Sequence, residues 1–178
     1  MKIHEDNTFG ALGSAIGKGL LAGLAATAAM TLSQMIEMKI NKREPSDATL
    51  VVAEDTAGLK PASPQEKQQL SQEIHWSYGT AWGIARGLIG LTGLKGIPAT
   101  LVHFGAVWGT ALVMLPKHDA AKPINKQKPQ EIGIDILHHG IYAVTAGMVY
   151  DALDAGSRRE RKVKKILASL KGFKKGIK

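Results

Sequence analysis

Four stretches of this chain are apolar over about the length of a bilayer-crossing helix, and nearly all the charge lies between them. They cover residues 19–36, 74–94, 97–115 and 132–153, and the first reaches back to Ser14 if Lys18 snorkels. A helix rises about 1.5 Å per residue, so about 20 residues cross a hydrocarbon core. Three polar breaks separate the stretches. Residues 41–72 contain Pro45, Pro61 and Pro64, and Ser63 and Ser71 are both suited to capping a lead-in to the second stretch. Lys95-Gly96 is a tight reversal followed by Pro98, and residues 116–130 are rich in Lys and Pro.

A soluble bundle is the alternative, and Arg86, His103, Asp135, His138 and His139 inside the windows would favour it. Every helix of a soluble four-helix bundle needs a polar outer face. Residues 19–36 and 97–115 have none. The expected fold is therefore all-α: an integral membrane four-helix bundle over residues 1–156, with a basic amphipathic helix at 157–178. The polar start of the chain, with Glu5 and Asp6, does not read as a cleaved signal peptide.

The glycines sharpen that expectation. Gly79, Gly83 and Gly87 recur every four residues, as do the pairs Gly13/Gly17, Gly19/Gly23 and Gly105/Gly109; Gly133, Gly140 and Gly147 recur every seven. In water an interior glycine costs about 0.5–1 kcal/mol relative to alanine. In lipid, small residues on one stripe let helix backbones approach closely. All of these glycines are expected at helix packing faces.

Charge gives an orientation. With an even number of crossings, one side carries 13 basic and 5 acidic residues, including ten basic residues after Ser157, and the other carries 9 of each. The net charge of +8 then falls wholly on the side of the termini. The positive-inside rule places both termini in the cytoplasm. The tail places Val163, Ile166, Leu167, Leu170, Phe173 and Ile177 on one helical arc opposite most of its lysines. Such a helix suits anionic lipid headgroups. A single aromatic there and no stacking pattern argue against nucleic acid. The bilayer is the principal partner expected, together with a second copy or another membrane protein.

Two stripes carry whatever chemistry the chain has. At about 100° per residue, His75, Tyr78, Trp82 and Arg86 share one face of the second span, and Asp135, His138, Tyr142 and Thr145 share one face of the fourth. His75-x-x-Tyr78 and His139-x-x-Tyr142 hint at a duplicated two-helix unit. Arg86 stands out, because a charge in the membrane interior costs roughly 2.5–3.5 kcal/mol and faces a partner or water. Asp151 is closer to its axial height than Asp135 and is the expected partner. His75 and His139 are candidate metal or haem ligands; the competing reading makes them polar anchors of helix ends. No cysteine is present, so thiolate chemistry is excluded. The glycines of GTAWGIARG follow no strand, so no dinucleotide fingerprint is formed. No nucleophile–base–acid set can be assembled, and no cofactor is expected.

The Gly/Ala-rich first span, Arg43-Glu44-Pro45 and His75-x-x-Tyr78-Gly79 resemble small bacterial inner-membrane proteins of the YagU-like kind. The resemblance implies a four-span inner-membrane protein and transfers no catalytic residue. The expected function is a non-enzymatic accessory or structural membrane component. The alternatives are a transport or channel module lined by Arg86 and a histidine-ligated metal or haem subunit.

Overall fold

The computed structural model describes the backbone of residues 2–175 and the side chains of residues 8–157 and of Val163. Its elements are α1 (Lys2–Asn41), α2 (Ala48–Ala57), α3 (Pro64–Leu91), α4 (Gly96–Lys117), a 3-10 turn (Ile124–Lys126) and α5 (Pro129–Lys175). No strand occurs among the described residues. Among the described residues, three helical segments are long and apolar enough to cross a membrane: Thr8–Asn41, Gly96–Lys117 and Pro129–Ser157.

The long helix α3 falls short of that standard. Its first three turns are polar (PQEKQQLSQE), and Arg86, His75 and its glycines dilute the rest. Position explains the difference. It packs on α1, α2, α4 and α5, so its polar groups are shielded by neighbouring helices and its composition is free of the demand that lipid makes on an outer helix.

The helices α1, α3, α4 and α5 alternate in direction. Lys18 of α1 meets Asp154 of α5 at 3.1 Å, and Ser33 meets His138 at 2.9 Å, so these two run antiparallel. Tyr142 and Tyr150 of α5 reach the carbonyls of Gly79 and Gly87, so α3 and α5 run parallel. The α3–α4 reversal uses two glycines in the left-handed region, Gly93 (φ 92°) and Gly96 (φ 58°).

The closest approach is between α1 and α3. A side chain on Gly83 would overlap the Gly19 carbonyl oxygen, one on Gly87 would overlap that of Ala15, and one on Gly79 would overlap the Thr27 hydroxyl. Ala15, Gly19, Gly23 and Thr27 on α1 therefore face Gly87, Gly83 and Gly79 on α3, backbone against backbone. Gly147 on α5 meets Thr100 on α4. The other expected packing positions differ: Gly13, Gly17, Gly105, Gly109, Gly133 and Gly140 have open space where a side chain would be. Their spacing matches that of the packed glycines, but they lie on helix faces that no helix of the same chain covers.

The outward faces are apolar. Leu21, Leu24, Leu32, Met35 and Ile36 on α1, Ile97, Leu101 and Val113 on α4, and Leu137, Val144 and Met148 on α5 are all exposed. In the most apolar stretch of each spanning-length helix only 17–28 % of residues are buried. A continuous girdle of this kind is far larger than the isolated apolar patches of soluble proteins.

At one end of the bundle lies α2, within the stretch expected to be polar loop. Its Leu50 is fully buried, and it packs on α3 and α4. Asp55 of α2 holds His118 at the end of α4 at 2.5 Å, and Lys67 pairs with Asp47 at 2.6 Å. Hydrogen bonding to that carboxylate raises the Lys67 ammonium above its ordinary pKa. Ser63 caps α3, accepting from the Glu66 N–H, with Pro64 at the first helical position. At the other end, α5 continues as unbroken helix past residue 157 to Lys175, so the tail extends the fourth long helix. The amphipathic pattern expected there falls outside the described side chains, apart from Val163, which is exposed.

Candidate functional site

Parts of the two stripes picked out in the sequence meet inside the bundle; of the second stripe Asp135 and Tyr142 take part, while His138 and Thr145 do not. His75, Tyr78 and Trp82 of α3 and Asp135, His139 and Tyr142 of α5 line one cavity of about 410 Å³. It lies in the half of the bundle nearest α2, whose Ala48 and Thr49 contribute to its edge. The lining is mostly apolar. Met30 and Met38 of α1 and Val107, Ala111 and Met114 of α4 add apolar wall, and Gln34 and Gln72 add neutral amides. Size and lining are those of a small-molecule site: a concave, largely apolar chamber with a few converging polar groups.

The charged and imidazole groups of the wall are held by neighbours. Asp135 accepts a hydrogen bond from the Trp108 indole N–H at 2.7 Å, and its carboxylate lies 3.1 Å from His139 Nδ1. The same Nδ1 lies 2.9 Å from the Asp135 backbone carbonyl. Both neighbours only accept, so Nδ1 carries the proton and the opposite ring edge, Nε2, is left for the cavity. His75 Nε2 lies 3.2 Å from the Thr31 hydroxyl. Tyr142 is buried and donates to the Gly79 carbonyl at 2.5 Å, while the Tyr78 and Trp82 rings meet edge to face with centroids 6.2 Å apart.

At the rim, Glu37 is the hub of a second cluster. It accepts from Asn41 at 2.9 Å and from Arg43 through two nitrogens, the shorter at 2.7 Å. His138 Nε2 stands 3.8 Å away on α5, and its Nδ1 is 2.9 Å from the Ser33 hydroxyl. His138 therefore turns towards α1, away from the cavity that His139 faces.

Arg86 is not in the cavity. It lies one helical turn beyond Trp82, wholly buried, with its Nη2 donating to Asp151 Oδ1 at 2.6 Å. Its guanidinium carbon sits 4.6 Å from the centre of the Tyr150 ring, a cation–π contact. The other Asp151 oxygen accepts the backbone N–H of Gly96, where α4 begins, at 3.0 Å. One carboxylate thus joins α3, α4 and α5. Burial leaves Arg86 no route to snorkel. Between this pair and the cavity sits His103, fully buried, which donates from Nε2 to the Trp82 carbonyl at 3.1 Å and packs against Tyr142. Arg86 Nε and Nη1 and His103 Nδ1 have no hydrogen-bond partner among the described residues.

Among the described residues no three His, Asp or Glu side chains gather in a way that could hold a metal ion. His75 and His139 both line the cavity, but each is already bonded, to Thr31 and to Asp135. Sequence reasoning paired Arg86 with Asp151 and grouped the two stripes. It did not find Glu37 as a hub, Trp108 as the partner of Asp135, or His103 beneath the cavity. The signal for Trp108 was present: an indole N–H at mid-helix needs an acceptor. No family model matches the chain, and neither the curated proteins nor the solved structures contain a match.

Proposed function

We propose that this chain is a four-span protein of a bacterial inner membrane, with both termini cytoplasmic, and that its role is non-enzymatic. On this reading it is an accessory component that shelters a small molecule in the bundle interior. The observation that carries it is the combination of an apolar outer girdle with a wholly buried arginine inside, Arg86, that is paired with Asp151. A charge in lipid is tolerated when it faces the bundle interior and finds its counter-ion there. The fourth crossing is assigned to α3, because it stands among three helices of spanning length and its one interior charge is neutralised. The YagU-like resemblance of Arg43-Glu44-Pro45 and His75-x-x-Tyr78-Gly79 agrees with this assignment. The conduit reading is not favoured, since Arg86 is paired with Asp151, packs against Tyr150 and stands outside the cavity lined by His75 and His139.

The test is topological. The chain has no cysteine, so each introduced one is a unique label. Asp47→Cys and Lys126→Cys should both react with an impermeant maleimide from the periplasmic face, and Lys171→Cys should not. Labelling of Asp47→Cys and Lys126→Cys from opposite faces would refute the crossing of α3. Labelling of Lys171→Cys from outside with Asp47→Cys and Lys126→Cys both protected would reverse the orientation, and a protein soluble without detergent would refute the membrane reading.

A further inference from the structure

The chemistry of the cavity wall narrows what it can hold. A cationic ligand needs an unclaimed carboxylate. Asp135 is claimed by Trp108 and His139, and Glu37 by Asn41 and Arg43. An anionic ligand needs an unclaimed cation. The one arginine at the rim, Arg43, is bound to Glu37 through two nitrogens. The occupant that fits is neutral.

Its shape follows from the walls. Tyr78 and Trp82 present aromatic surface on one side, and Met30, Met35, Met38 and Met114 present thioethers on others. Polarizable sulfur and aromatic rings both pack well against a flat ring. Its polar end follows from His139. With Nδ1–H committed to Asp135, the neutral imidazole offers a lone pair at Nε2, which a donor on the ligand would meet. His75, bonded to Thr31 through Nε2, adds a second imidazole on the same wall as Tyr78.

From these constraints we infer that the cavity binds a neutral aromatic ring bearing a hydroxyl, a phenol or hydroquinone, whose O–H donates to His139 Nε2 while the ring packs among Tyr78, Trp82 and the methionines. The inference deepens the proposed ligand-sheltering role and rests on it. It does not rest on the number of crossings, so the maleimide labelling and the binding test below can fail independently. No bond is made or broken: the site holds the ring and orients its hydroxyl.

The test is calorimetric titration of the purified full-length protein in detergent with four probes: hydroquinone, a decyl-tailed hydroquinone, and the dimethyl ether of each. The ethers keep the ring and remove the donor. At least one hydroquinone should bind saturably, and its ether should bind about tenfold or more weakly, the effect of leaving a hydrogen bond unmade in a dry site. Binding by both hydroquinones would point to a ligand taken from water, and binding by the tailed one alone to a ligand taken from the bilayer; either supports the inference. In His139→Leu the preference for hydroquinone over ether should vanish while ether binding persists. That ratio does not move if the variant is merely less stable. Ala111→Phe, which fills the chamber, should abolish binding with the thermal melt retained. No saturable binding by either hydroquinone, equal binding of hydroquinone and ether by the parent, or a preference that survives in His139→Leu would overturn the inference.

Discussion

Replacing Asp151 with leucine strands Arg86. The guanidinium is 0 % exposed, and Asp151 supplies its one ion pair, at 2.6 Å. Removing one partner of a buried pair costs about 3–5 kcal/mol. Two features reduce that figure here. The Asp151 side chain is 32 % exposed, so part of its charge is already met by solvent or headgroups. The Tyr150 ring stays over the guanidinium and retains about 0.5–2 kcal/mol of attraction. The expected loss is about 2–3 kcal/mol, a fall in Tm of roughly 4–12 °C for a chain of this size. Arg86→Met should cost less, because the carboxylate it leaves behind keeps its solvent access and the Gly96 N–H. The double variant Arg86→Met/Asp151→Leu replaces the pair with apolar groups of similar volume and should return to within about 1 kcal/mol of the parent. Thermal melts of detergent-purified protein measure all three. If the two single variants melt alike, or the double melts no higher than Asp151→Leu, Arg86 is not relying on Asp151 and the reasoning fails.

Gly83→Leu should dissociate α1 from α3 and abolish folded protein, whereas Gly105→Leu, facing open space at the same four-residue spacing, should be accepted within about 1 kcal/mol; equal outcomes in gel filtration and melting would dismiss the contact between α1 and α3. Leu50→Ala should cost about 2–3 kcal/mol and raise hydrogen exchange in α2 above that in α5, because Leu50 is the fully buried anchor of a ten-residue helix. A synthetic peptide of residues 157–178 should be unstructured in buffer and become helical with anionic vesicles, less so with neutral ones, as circular dichroism would record; a peptide that stays disordered with anionic vesicles would remove lipid headgroups as its partner.

What the sequence disclosed and what it withheld follow a physical division. Arg86 was legible because a lone charge in an apolar span must find an opposite charge at matching height, and the apolar stretch 132–153 offers only Asp135 and Asp151, near its two ends. The shared face of His75, Tyr78 and Trp82 was legible from helical angle alone. The partner of a glycine was not. Gly79 and Gly105 sit in identical spacing, and only the assembled bundle shows that one meets Thr27 and the other nothing. Glu37 was counted only among the charges outside the first apolar stretch, which ends at Ile36. In the structure α1 runs on to Asn41, and Lys42, with φ 50°, turns the chain so that Arg43 folds back onto it. The helix α2 was hidden by its brevity between prolines, although the apolar run Leu50-Val51-Val52 marks its buried face.

The two tyrosine bonds from α5 to α3 have a mechanical consequence. Tyr142 reaches Gly79 and Tyr150 reaches Gly87, each across the same interval of 63 residues. The hydroxyls are eight residues apart on one helix, and the carbonyls they grip are eight apart on the other. They act as two teeth of a rack meshed at a single setting. A piston stroke of α5 along α3 by one turn would strip both teeth together and drag the Arg86–Asp151 pair out of line, so intermediate positions have nothing to rest on. The α3–α5 pair is therefore held at one register. Any opening of the chamber between them has to come from the helices on its flanks, through the tilt of α4 or the lift of α2.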